Sequence, residues 1–118
     1  MLVYKSFDTD YKLKLQLLTY DDGQLALNAL CYDEELNFWD VFGTLTINLN
    51  YTNDDPAPEN CGYLDVNNIP DIEDWIKEND LGEPTSKKKQ SGFCTYPLYK
   101  FNIQRIKSII AKQDLEDN

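Results

Sequence analysis

The chain of 118 residues contains no histidine. That absence removes every catalytic triad or dyad that uses imidazole as its base, and a common nitrogen ligand for zinc. Cysteine is scarce: Cys31, Cys61 and Cys94 are odd in number, and no Cys-x-x-Cys occurs. Neither a disulfide framework nor a zinc site is expected, and the thiols read as packing groups. No apolar run approaches the ~20 residues of a membrane span. Residues 1–7 lack a basic start followed by a long apolar stretch, so no signal peptide is expected. A cytoplasmic location with no membrane contact is the simplest expectation.

Positive charge is missing from the middle. From Leu15 to Ile76 there is no Lys or Arg, while the same stretch holds thirteen acids. Residues 15–86 sum to −15, the first fourteen residues to +1 and residues 87–118 to +4, which gives the net −10. Direct binding of nucleic acid is not expected, because that needs Lys and Arg to displace counterions from phosphates. A basic protein surface is the fitting partner, including the nucleic-acid channel of a nuclease. The plain alternative is that the acids serve only solubility.

What is present points to one packed domain over residues 1–118. The chain is 42% hydrophobic and carries fifteen aromatics, which is unlike a disordered composition. Tyr11, Leu13, Leu15 and Leu17 alternate with polar residues, which predicts a half-buried strand. Asp21-Asp22-Gly23 predicts a tight turn, and residues 24–32 a returning strand with Leu25, Leu27, Ala29 and Cys31 on one face. After a polar connection at 33–37, residues 38–49 predict a third strand. It would carry Trp39, Val41, Leu45, Ile47 and Leu49 on one side, with Gly43 at a bulge. Short strands are expected at 2–7, 61–66 and 93–101, the last with Pro97 at an edge or bulge, and surface loops at 51–60 and 83–92.

Two helices are expected. The first would be capped by Asn68, with Pro70 in its first turn and Asp71, Glu73 and Asp74 at the positive end of its dipole. Ile69, Ile72, Trp75 and Ile76 would share one face, and Gly82 would mark its stop. The second begins near Asn102 with Ile103, Ile106, Ile109 and Ile110 on one stripe, and residues 113–118 read as a frayed tail. The expected fold is α+β: a four- to five-stranded, mainly antiparallel sheet with two helices packed on one face.

No catalytic, cofactor-binding or metal-binding residue is assigned. Paired carboxylates at 21–22, 33–35 and 54–55 fall in turns, where water keeps them from acid–base work. Asn53-Asp54-Asp55 with Glu59 offers oxygen ligands but lacks the spacing of a calcium loop. Cys94 has no histidine to activate it. The lysines at 87–89 are not in phosphate-loop order, and Tyr96, Tyr99 and Phe101 read as core or cross-strand pairs.

The block Ser91-Gly92-Phe93-Cys94-Thr95-Tyr96-Pro97-Leu98-Tyr99, with Asp80-Leu81-Gly82-Glu83-Pro84-Thr85 and Tyr63-Leu64-Asp65-Val66-Asn67-Asn68, resembles a family of small bacterial proteins. This is domain of unknown function 4313, and the resemblance covers most of the chain. It brings no catalytic residues. It implies a bacterial setting, often on mobile elements, where small acidic proteins commonly inhibit host defence, anti-restriction and anti-CRISPR proteins included. The expected function is therefore a non-enzymatic interaction protein, with Asp33, Glu34, Glu35, Asp40, Asp54, Asp55 and Glu59 as the candidate partner-binding acids.

Overall fold

The computed structural model describes residues 2–6, 8–49 and 57–116. Period-two alternation builds its first sheet. In β2 (Thr9–Thr19), Leu13 and Leu15 are buried while Lys12 and Gln16 are exposed. The chain turns at Asp21–Gly23 and returns as β3 (Leu25–Asp33), with Leu27 and Ala29 buried on the same face. β1 (Leu2–Ser6) and β4 (Phe38–Thr44) complete an antiparallel sheet of order β1-β2-β3-β4.

The single strand expected over 38–49 is two strands in two sheets. Ala29 pairs with Gly43 but Leu30 pairs with Val41, so Phe42 is an extra residue in β4. A bulge reverses the inside–outside alternation. Val41, expected on the buried side with Leu45, is therefore 69% exposed, and Phe42 packs on the core instead. Beyond Thr44, Leu45 donates its N–H to the Leu27 carbonyl at 2.8 Å, and β5 (Thr46–Ile47) joins a second sheet.

That sheet also holds β6 (Cys61–Leu64), β7 (Gly82–Ser91) and β8 (Cys94–Phe101), in the antiparallel order β5-β6-β8-β7. The α+β class stands, with eight described strands in two sheets of four instead of one sheet of four or five. Residues 83–92, expected as a loop, are mostly strand β7. Their polar sequence suits an edge, where lysines discourage further pairing. The strand also breaks register between Pro84 and Lys88, with Ser86 at φ 72°. β8 is central, so Pro97 is not on an edge strand. Pairing with β6 stops at Leu98, and Pro97 lies opposite Lys88, where β7 resumes its register.

The first helix, α1 (Ile72–Glu78), begins later than expected. Asn68 does not cap it: its backbone N–H and Nδ2 donate to the Asp65 carboxylate at 3.3 and 2.7 Å. Asp71 occupies the cap position and makes no side-chain cap bond. At the other end, Asp80 rather than Gly82 takes the left-handed position, at φ 55°. Leu81 N–H reaches Ile76 O at 2.9 Å and Asp80 N–H reaches Lys77 O at 3.1 Å, a Schellman closure with Leu81 and Ile76 both in the core. Gly82 is small for another reason. A Cβ there would sit 2.9 Å from the Lys100 carbonyl oxygen of the neighbouring strand.

The second helix, α2 (Ile103–Glu116), starts as expected, with Asn102 Oδ1 accepting the Arg105 N–H at 3.3 Å. It is helical through residue 116; residues 117 and 118 of the expected tail at 113–118 lie outside the described set. The helices do not share one face of one sheet. α2 lies on β2, whereas α1 sits against β7 and reaches β1, where Trp75 Nε1 donates to Val3 O at 2.8 Å. The main core fills the space between both sheets and both helices, and joins Leu13, Leu27, Leu64, Ile76, Tyr99 and Ile106. A smaller cluster of Leu49, Cys61, Tyr63, Tyr96 and Leu98 covers the far face of the second sheet. Tyr96, Tyr99 and Phe101 are all buried, Tyr96 in the smaller cluster and the other two in the main core.

Candidate partner-binding site

Four of the seven candidate acids meet at one end of the first sheet. Asp33 closes β3, and its Oδ1 accepts the backbone N–H groups of Glu35 and Leu36 at 3.0 and 3.1 Å. Asn37 completes the turn at φ 57°, its N–H on Asp33 O at 2.8 Å and its side chain accepting the Tyr32 hydroxyl. The Asp33 carboxylate is thus a turn brace. Glu34 and Glu35 stand exposed at the tip, and Asp40 is exposed on the strand that leaves it. The β1–β2 connection lies at this same end, which adds exposed Asp8 and Asp10.

Apolar side chains also stand exposed at this end, with Val41 on the face of the sheet opposite Asp40. Leu36 is 67%, Phe38 44% and Val41 69% exposed. Sequence patterning placed Val41 inside and passed over Leu36 and Phe38. The available signal was Leu36 itself, an apolar residue within an otherwise polar turn. On the inner side of this end, Tyr4 and Tyr11 pack edge-on against Phe42 with ring centroids 5.3 and 6.0 Å apart. Cys31 sits between Asp33 and Asp40. Burial first, then the charges of Asp40 and Asp33, push its thiol pKa up, which favours the protonated form.

The other candidates are not part of this end. Glu59 is exposed near the opposite end of β3, beside Gly23 and Gln24. The nine residues of β3 separate the two groups by roughly 27 Å at about 3.4 Å per residue. Asp54 and Asp55, with most of the expected 51–60 loop, lie outside the described residues.

Several further acids have internal work. Asp22 accepts the Gln24 N–H at 3.0 Å and Asn48 Nδ2 at 2.9 Å. Asp65 is buried and held by Asn68. Asp71 and Glu73 accept the hydroxyls of Tyr4 at 2.5 Å and Tyr99 at 2.8 Å, so they tie α1 to both sheets as well as facing its dipole. Burial, the hydrogen bond and the adjacent carboxylate push Tyr4 up to about 12 and raise Tyr99 as well. Cys61 is raised by burial, with Lys100 opposing. Among the described residues no three His, Cys, Asp or Glu side chains are grouped to hold a metal ion. No described helix is long and apolar enough to cross a membrane.

No curated protein and no solved structure matched the chain. A family profile described as a domain of unknown function, DUF4313, matches residues 13–116, from the middle of β2 to the end of α2. The chain belongs to the DUF4313 family.

Proposed function

We propose that this is a non-enzymatic interaction protein that presents the β3–β4 end of its first sheet to a basic surface on a partner protein. The carrying observation is that exposed Glu34, Glu35 and Asp40 share this end with exposed Leu36 and Phe38. Carboxylates alone stay solvated, but acids beside apolar groups give both steering toward a cationic partner and area to bury. In its concrete form the protein is encoded on a mobile element and inhibits a host defence nuclease, as an anti-CRISPR or anti-restriction protein, by competing with nucleic acid. The acid-rich end, and the mobile-element setting that the family resemblance implies for many members, support that form.

The second reading is an accessory protein of a mobile element whose acids serve only solubility. It is favoured by the internal roles of Asp22, Asp33, Asp65, Asp71 and Glu73. A small carboxylate-dependent enzyme is the third, and would be sought at the cleft lined by Asp71, Asp74 and Glu78.

Affinity purification from the native host, followed by titration of the recovered partner, decides among them. Under the first reading, affinity falls as salt rises, and Glu34→Lys with Glu35→Lys weakens it on the order of tenfold. Asp33 is left intact in that variant because it braces the turn. A complex indifferent to both salt and charge reversal would rule the first reading out.

A further inference from the structure

One cavity of this acidic chain has cations and no acid among its described lining residues. It measures about 280 Å³ and lies between β1, β2, the end of α1 and one face of α2. Leu2, Leu13 and Ile109 supply apolar lining, and Arg105 and Lys112 supply charge. No carboxylate lines it among the described residues, although acids outnumber bases 21 to 11 in the chain. Its volume is just below the range of ligand pockets, roughly 300–1,000 Å³, and suits a small ligand.

Helix geometry makes this a built arrangement. Arg105, Ile109 and Lys112 are spaced four and three apart, so they form one stripe on α2, with the apolar residue between two cations. The cations lie about 10 Å apart along the axis at roughly 1.5 Å per residue. Arg105 is anchored, its Nε donating to the Asn79 carbonyl oxygen at 2.8 Å. That bond uses one edge of the guanidinium, and its Nη groups have no partner among the described residues. Lys112 is exposed and likewise has none among them. Lys14 also lines the wall, but its ammonium is drawn to the Trp39 ring, 4.3 Å from the centroid.

We propose that this cavity binds a small amphipathic anion, one carboxylate or phosphate head on an apolar body of several carbons. The head pairs with Arg105 and Lys112, and the body lies against Leu2, Leu13 and Ile109. An apolar floor with charged donors at its rim suits neither a bare inorganic anion nor a neutral lipid. The site is separate from the β3–β4 end and does not depend on the function proposed there.

Octanoate is the probe, titrated into the full chain and followed by amide resonances, with acetate and octan-1-ol as controls. Saturable octanoate shifts are expected at Leu13, Ile109 and Gln113, with each control at least ~tenfold weaker because it lacks one half of the recognition. Arg105→Gln and Lys112→Gln should each weaken octanoate ~fivefold. The Lys112 variant loses no hydrogen bond within the described fold, so it tests the charge where the Arg105 variant proves unstable. Equal binding of octan-1-ol would reduce the site to a greasy patch, and equal binding of acetate to diffuse attraction. Either result, no octanoate binding, or unchanged affinity in a folded Lys112 variant would overturn the proposal.

Discussion

The side-chain amide of Gln113 is bonded to both backbone groups of Leu15, ninety-eight residues earlier. Leu15 donates its N–H to Gln113 Oε1 at 3.0 Å, and Gln113 Nε2 donates to Leu15 O at 3.3 Å. β1 pairs with β2 only as far as Leu13, so among the described residues Leu15 lies on an edge that no strand covers. The amide takes the place of a neighbouring strand there and fastens α2 to the first sheet.

Gln113→Ala should therefore destabilise the fold by about 1–2 kcal/mol, the net value of two hydrogen bonds to a half-buried edge. Urea unfolding measures the loss, and hydrogen exchange at the Leu15 amide should accelerate. Gln113→Glu should also destabilise, because a carboxylate can accept from Leu15 N–H but faces Leu15 O with no donor. An unchanged midpoint for both variants would show that the pair contributes nothing.

Asp80→Gly should stabilise the protein by roughly 0.5–1 kcal/mol. An L-residue held left-handed costs about 1–2 kcal/mol, and glycine returns part of that gain as chain entropy. Asp80→Val should move the thermal midpoint the opposite way.

Gly82→Ala should destabilise by about 1–3 kcal/mol, since the added Cβ meets the Lys100 backbone oxygen at 2.9 Å and strand backbone cannot swing aside as a side chain can. Chemical denaturation should show the loss with the slope unchanged.

Alkali should weaken the fold through Tyr4 and Tyr99. Tyr4 keeps its proton in the folded state to about pH 12 but loses it near pH 10.0 when unfolded. The contribution is thus whole below pH 10.0 and is lost as pH rises toward 12. Tyr99, raised by burial and Glu73, acts in the same direction. Stability measured from pH 8 to 12 should fall in the upper half of that range, and Tyr4→Phe should flatten the fall. A wild-type curve with no decline above pH 10.0 would contradict this account.

Legibility in the sequence followed how local each constraint is. The β2–β3 hairpin was readable because alternation and the Asp21–Gly23 turn agree over one short stretch. The α2 stripe was readable for the same reason. The two-sheet division was not, since it depends on one extra residue at Phe42 and a hand-over at Leu45 that no periodicity marks. β7 was missed because an edge strand of lysines has a loop's composition. At the candidate site, the charge of residues 33–40 was visible but the bracing role of Asp33 was not. Nor was the exposure of Val41, which the bulge reversed. Glu59, a candidate on charge alone, lies a strand's length from the acids of residues 33–40.

The hand-over at Leu45 has a consequence for engineering. Leu45 donates to Leu27 in the first sheet and accepts the Asp65 N–H beside the second at 2.9 Å, while Thr46 Oγ1 accepts the Leu27 N–H at 3.2 Å. The strand that displays Asp40 and Val41 is thus stitched at its far end to both halves of the molecule. The acidic tip is no portable hairpin: transplanted as residues 25–44 onto another scaffold, it leaves behind the seam that holds its register.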